Sequence, residues 1–420
     1  MFSQSIISLA LRALALIGKF VLVVYLARHL TPDDLGRFSL IASAIGLCVL
    51  AIGLDFYAFN TRQIIAADSD SRYQLIRNQF AMHLVTYLLS IPLLSLFFVS
   101  GSLEWRFASW FFAILVLEHL AQEMYRILIV LGEPIWANVS LLLRGGGWVF
   151  LFMIAFYYSS AEPDLGAVFL AWTCGGLASL AVSLAVLRHL LGPVAGGLSV
   201  DWAWMLHGIR QSGVFFAATI ILKSIEYGER FILQYYRGES DVGIYSFYAS
   251  IAIAVQAFVI AGVISILYPK VLRAYNDNDM RQYRALLSKL AVQSVALAVV
   301  MGVAAMLVLG PVLEYIGQPV FKEYSHVLFI LILSSICVIA SFVPHYALYA
   351  RHADRSLLVA SASAFLVVVV GSIALVPRYG ILATALVNLA GAGTLLAAKS
   401  LLLFRHGSQP EHSNAGGRTP

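Results

Sequence analysis

Apolar runs of about 19–25 residues, separated by short polar breaks, recur along almost the whole chain. At roughly 1.5 Å rise per residue, about twenty such residues cross a hydrocarbon layer of about 30 Å as a helix. Six spans are predicted near 5–27, 36–54, 79–99, 107–130, 135–157 and 165–187. Six more follow near 213–235, 243–267, 285–309, 325–349, 356–376 and 380–403. The pattern predicts an all-α integral membrane protein of about twelve helices, with both termini on one side.

Composition narrows the class further. The 420 residues are 60% hydrophobic and only 12% charged, with a mean hydropathy of +0.85, which excludes a soluble domain. The N-terminal apolar run has no basic region before it and no A-x-A site after it, so it is expected to stay as the first span. Net charge is +5, but the basic residues form no compact patch with interleaved aromatics, and nucleic acid is not an expected partner. With both termini placed in the cytoplasm, sixteen of the 27 Lys and Arg fall on that side, Arg126 and Lys399 among them. Six fall outside, in agreement with the positive-inside tendency.

The chain also repeats itself. Residues 34–40, DLGRFSL, align with 241–247, DVGIYSF, at a shift of 207, and each stretch opens the second span of its half. Residues 163–167, PDLGA, align with 377–381, PRYGI, at a shift of 214, opening the last span of each half. Six spans per half is an even number, so the two lobes share one orientation and are related by a pseudo-two-fold axis along the membrane normal. The expected division is an N-terminal lobe over 1–190, a second lobe over 213–405 and a disordered cytoplasmic tail over 406–420. Between the lobes lies a cytoplasmic linker over 191–212, containing Gly192-Pro193, Gly196-Gly197 and an amphipathic helix around Trp202 and Trp204.

The remaining five cations, Arg12, Lys19, Arg144, Lys223 and Arg230, are assigned to neither side and placed inside predicted spans. A charge near a bilayer centre costs at least about 2.5–3.5 kcal/mol, so these side chains should face the protein interior or a wet cavity. Lys223, Glu226 and Arg230 lie within roughly 60° of one another on the seventh span, with Glu229 a further 60° round. Two readings stay open there: a neutral network joining helices, or a solvated wall that handles a charged substrate. Arg12 and Lys19, seven residues apart, share a face and have no acidic neighbour in their own span. Lys19 and Arg144 face the alternatives of substrate contact or a carboxylate on another helix, such as Glu118, Glu123 or Asp55. For Arg12 the alternative is snorkelling to headgroups. With Glu118 placed nearer a span end, the interior counts as net positive and suits an anionic headgroup. Glu226 and Glu229 are candidates for ion or proton coupling.

Other motifs carry less. Gly145-Gly146-Gly147 has neither a P-loop lysine nor a preceding strand, so close helix packing is its expected role. His83, His119 and His345 are scattered without metal-ligand spacing, and no metal, cofactor or catalytic constellation is predicted. Cys48, Cys174 and Cys337 stand singly in apolar runs.

Three stretches carry a family resemblance. Residues 27–39, ARHLTPDDLGRFS, are similar to a first-loop pattern A-R-x-L-x-P-x-x-x-G-x-(Y/F)-S, and 240–246, SDVGIYS, to its counterpart at the eighth span. Residues 376–385, VPRYGILATA, are similar to the pattern that opens the twelfth. Over about residues 1–405 the chain resembles polysaccharide-type flippases of the multidrug/oligosaccharidyl-lipid/polysaccharide exporter superfamily. The resemblance implies a transporter rather than an enzyme. Its implied cargo is an undecaprenyl-pyrophosphate-linked oligosaccharide, an O-antigen or exopolysaccharide repeat unit. The implied motion is from the cytoplasmic to the periplasmic leaflet of a bacterial inner membrane, by alternating access. Implied partners are a polysaccharide polymerase and a chain-length regulator. The lipid II flippases of the same superfamily typically have two more spans. A cation-coupled multidrug exporter, or a membrane polymerase or ligase for lipid-linked sugars, are the rival readings; the first wants deep acidic residues and the second a long outward loop.

Overall fold

A computed structural model describes residues 2–159, 162–191 and 200–408. The first half contains α1 (Phe2–His29), α2 (Pro32–Gly53), α3 (Tyr57–Ala66), α4 (Ser69–Leu94), α5 (Leu96–Val99), α6 (Ala108–Val130), α7 (Pro134–Leu142), α8 (Trp148–Ser159) and α9 (Leu165–Leu191). The second half contains α10 (Trp202–Arg237), α11 (Glu239–Val259), α12 (Ser265–Asn276), α13 (Met280–Ile316), α14 (Pro319–Glu323), α15 (His326–Ala350) and α16 (Asp354–Ser408). One-turn π segments, Leu143–Gly147 and Ile260–Ile264, join α7 to α8 and α11 to α12. Lipid offers no partner to a bare backbone, so each apolar run closes its own hydrogen bonds as helix.

Local chemistry sets the helix starts. Thr31 caps α2 by accepting from the Asp34 N–H, Pro32 occupies the first turn, and Asp33 and Asp34 meet the positive end of the helix dipole. Asp68, Asp201 and Asp279 cap α4, α10 and α13 in the same manner.

Among the described residues, nine stretches are long and apolar enough to cross a membrane. Helices α6 and α10 match them in length, at 23 and 36 residues, but carry several charges each. The last stretch, Asp354–Arg405, holds both arms of α16, which bends at Gly380 (φ 53°, ψ −127°). That brings the crossings to the expected twelve.

Two observations refine the sequence reading. Helix α10 runs without a break from Trp202 to Arg237, so the amphipathic residues and the seventh span form one helix. Trp204 is turned inward: it packs on Phe56 and Phe59 and donates Nε1–H to Gln63 Oε1 at 2.6 Å. Gly192-Pro193, Gly196-Gly197 and residues 409–420 lie outside the described residues, while 406–408, placed in the tail by the sequence, continue α16 as helix. Arg126 and Lys399, assigned above to the cytoplasmic side, lie on α6 and α16, with Arg126 stacked 3.6 Å over Tyr57 and Lys399 buried.

The halves meet along α2 and α11. A Cβ on Gly36 would stand 1.9 Å from the Glu239 carbonyl oxygen, and one on Gly243 would stand 2.0 Å from that of Pro32. Gly36 and Gly243, and likewise Pro32 and Glu239, are related by the same shift of 207, so the contact is self-complementary about the pseudo-two-fold axis. Glycine is required at both positions because the two backbones touch there. The glycine run in the fifth span behaves alike: a Cβ on Gly146 would lie 2.4 Å from Ala15 O, where α1 presses on the π segment.

Candidate functional site

A cavity of about 530 Å³ lies between the halves, walled by α1, α2, α6 and the 143–148 stretch on one side and by α10 and α11 on the other. Its lining is mostly apolar, and the charges are few and placed. Lys19 projects into it from α1, deep in the lobe yet exposed to the cavity, and forms no hydrogen bond or ion pair among the described residues. Arg144 pairs with Glu118 through NH1 and Oε2 at 2.5 Å, and Trp172 Nε1 donates to the other carboxylate oxygen at 2.8 Å. Lys223 reaches the cavity from α10 and pairs with Glu226 at 2.5 Å. Three cations thus line the cavity against one carboxylate, Glu118, and among the described residues Lys19 has no ion-pair partner.

A second cavity of about 390 Å³ lies within the second half and shares Lys223, Ile253 and Ala257 with the first. Glu226 and Glu229 line it. Glu229 is held by Tyr245 OH at 2.7 Å and by Asn388 Nδ2 at 2.8 Å, so its two oxygens are occupied.

The remaining sequence candidates go elsewhere. Arg12 donates to Asn138 Oδ1 at 2.7 Å and to Tyr125 OH at 3.1 Å, on α7 and α6, and lines neither cavity. Arg230 is buried and donates to Ser246 Oγ at 3.1 Å and to the Glu226 carbonyl at 3.0 Å; it lines neither cavity either. Glu118 sits in the middle of α6, not near a span end, which removes Arg144 from the count of unpaired cations. Buried pairs of this kind hold helices in register because stranding one partner is costly.

A polar network in the first half went unseen in the sequence. His83 on α4 and His119 and Glu123 on α6 place ligand-type atoms within 4.8 Å of one another, all buried. Tyr87 OH meets His119 Nδ1 at 2.6 Å, Gln79 Nε2 donates to Glu123 Oε2 at 2.6 Å, and Arg126 pairs with Glu123 Oε1 at 2.5 Å. Among the described residues only this trio has a metal-ligating composition. It fits a metal poorly, since both Glu123 oxygens are already occupied and Arg126 would repel a cation. The network therefore ties α4 to α6.

One end of the molecule is closed between the halves. Arg37 Nε lies 2.7 Å from both Glu104 and Glu239, and its NH1 lies 2.9 Å from Asp34. Gln318 Nε2 donates to the carbonyls of Ala27 and Leu30, both at 2.9 Å. Arg28 NH1 donates to Tyr315 O at 3.1 Å, with the guanidinium 4.1 Å above the Tyr315 ring. These contacts surround the Gly36–Gly243 crossing, at the α1–α2 loop end.

Comparison with known proteins adds the lineage. A family described as polysaccharide biosynthesis protein matches residues 2–274. A lipid II flippase, MurJ, in an inward closed conformation shares 12% identity over 98% of this chain and 88% of its own, with a TM-score of 0.72. An inward-facing multidrug resistance MATE family transporter of the MOP superfamily shares 13% identity over 96% of both chains, with a TM-score of 0.67. An outward-facing structure of such a transporter matches over 94% of this chain and 93% of its own, at 13% identity and a TM-score of 0.60. No relative among curated proteins matches in sequence.

Proposed function

Because the chain belongs to the polysaccharide biosynthesis protein family and has the fold of these transporters, we propose that it is a flippase for a polyprenyl-pyrophosphate-linked oligosaccharide in a bacterial inner membrane. The observation that carries this reading is the cavity between the halves, with Lys19 unpaired and Arg144 and Lys223 beside it. An anionic headgroup replaces part of its hydration there with two or three ammonium and guanidinium groups, which water-poor surroundings strengthen. The sugars share the wet interior, and the polyprenyl chain stays in lipid between the halves.

The basic loops support a placement of both termini in the cytoplasm. The Arg37 end is then periplasmic and closed, and the state described is one that loads from the cytoplasm. Lys223 is common to both cavities, so an arriving pyrophosphate draws it away from Glu226 and leaves a carboxylate free to take a proton or cation. That step couples loading to a change of charge in the second half.

Deletion of the gene tests the reading. Undecaprenyl-linked repeat units should accumulate on the inner leaflet, and complementation with Lys19→Ala or Lys223→Ala should fail to clear them. Full clearance by both variants would overturn the role of the cavity.

A further inference from the structure

Lys399 is the buried cation with the least complete surroundings at the second cavity. It lies on the second arm of α16 with 4% of its surface exposed. Its one hydrogen bond among the described residues is a 3.5 Å contact from Nζ to Ser341 Oγ, and no carboxylate pairs with it there. A buried ammonium held by one long hydrogen bond is costly, and an anion would relieve that cost.

The cavity around it is a slot with chemically different ends. Asn388, Gly391, Ala392, Leu395 and Lys399 line it along one stripe of α16, and the eleven helical steps from Asn388 to Lys399 span about 16 Å. At the Asn388 end, Glu229 is saturated by Tyr245 and Asn388, and Glu226 is paired with Lys223. At the Lys399 end stand Phe342 and His345, and among the described residues the buried His345 Nδ1 has no hydrogen-bond partner. Along the wall between them, Gln256 Nε2 donates to Ser335 Oγ at 2.9 Å, and its amide oxygen accepts no hydrogen bond among the described residues. Neutral donors and acceptors along the wall, an aromatic side chain and one unpaired cation at the base suit a hydroxylated ring that bears a single negative charge.

We propose that this slot receives an acidic sugar of the lipid-linked unit, its carboxylate ion-paired with Lys399 and hydrogen-bonded by His345. The proposal rests on the flippase reading and adds the class of sugar. A carboxylate fits better than a second phosphate, because Lys399 matches one negative charge and, among the described residues, the slot's other cation, Lys223, is already paired with Glu226. The shared wall at Lys223 lets the headgroup occupy the first cavity while the sugar occupies the slot.

The test is thermal unfolding of the purified full-length protein against rising concentrations of D-galacturonate, D-galactose, inorganic phosphate and farnesyl pyrophosphate. D-galacturonate should stabilise the wild type at concentrations where D-galactose and phosphate do not. Loss of a charge-assisted hydrogen bond in Lys399→Met should weaken the apparent D-galacturonate affinity at least about tenfold. Lys399→Gln, which keeps a polar donor, should equally lose the preference over galactose. Farnesyl pyrophosphate should protect the wild type and Lys399→Met alike, and Lys19→Met less. Equal protection by galacturonate and galactose in the wild type would overturn the proposal without any variant. So would protection by phosphate that exceeds that by galacturonate and depends on Lys399. If farnesyl pyrophosphate binds and galacturonate does not, the slot assignment alone fails; if farnesyl pyrophosphate does not bind, the flippase reading fails first.

Discussion

Adding one methyl group at Gly36 should force open the closed end of the molecule. The Cβ of Gly36→Ala would stand 1.9 Å from the Glu239 carbonyl oxygen, and backbone cannot swing aside as a flexible side chain does. An ordinary contact begins near 3.4 Å, so α2 and α11 must part by about 1.5 Å. Overpacking of that kind costs on the order of 1–3 kcal/mol. Because the crossing is self-complementary, the cost falls on the interface between halves, and the ratio of closed to open states should move roughly tenfold to a hundredfold. Spin labels at Trp105→Cys and Tyr379→Cys, exposed positions on opposite halves, report the separation after Cys48, Cys174 and Cys337 are replaced by serine. Gly36→Ala should shift the distance distribution to longer values. Gly393→Ala, where a Cβ meets nothing within 4 Å, should leave it unchanged. An unmoved distribution in Gly36→Ala, with the protein folded, would refute the claim that this crossing sets the closure.

Further predictions follow from the same contacts. Arg37→Ala leaves Asp34, Glu104 and Glu239 facing one another without their shared guanidinium, so the same label pair should separate, and less so at high salt. Arg144→Met strands Glu118 in a half-dry site and should lower stability by about 3–5 kcal/mol, with much of that recovered in the Arg144→Met, Glu118→Gln double variant, as read by thermal unfolding. Glu123→Leu removes the common acceptor of Gln79 and Arg126 and should destabilise by several kcal/mol, whereas added zinc should give wild-type protein no thermal protection.

Much of the fold could be read before the structure, for a physical reason. Lipid forces every crossing to be an apolar helix, so run lengths count the spans, and the repeated Asp-x-Gly turns announced two halves. That Gly36 and Gly243 touch was not readable, although their equivalence was. Helical spacing tells which residues share a face but not which neighbouring helix that face meets. Arg144 finds Glu118 26 residues away, and His83 finds His119 36 residues away, with no local signal. The single-span spacing of Lys223 and Glu226 was informative because the pair is local. The burial of Lys399 was not readable either, because the end of an apolar run does not show which side chains its neighbours cover.

Reconstituted vesicles test the central claim most directly. A polyprenyl-pyrophosphate oligosaccharide is loaded on one leaflet, and its arrival on the other is followed by a glycan-specific probe that cannot cross the membrane. Wild-type protein should deliver the glycan, and Lys19→Met should slow delivery at least about tenfold while unfolding at the wild-type temperature. Equal delivery by the two proteins would contradict the assignment of the cavity between the halves as the headgroup site.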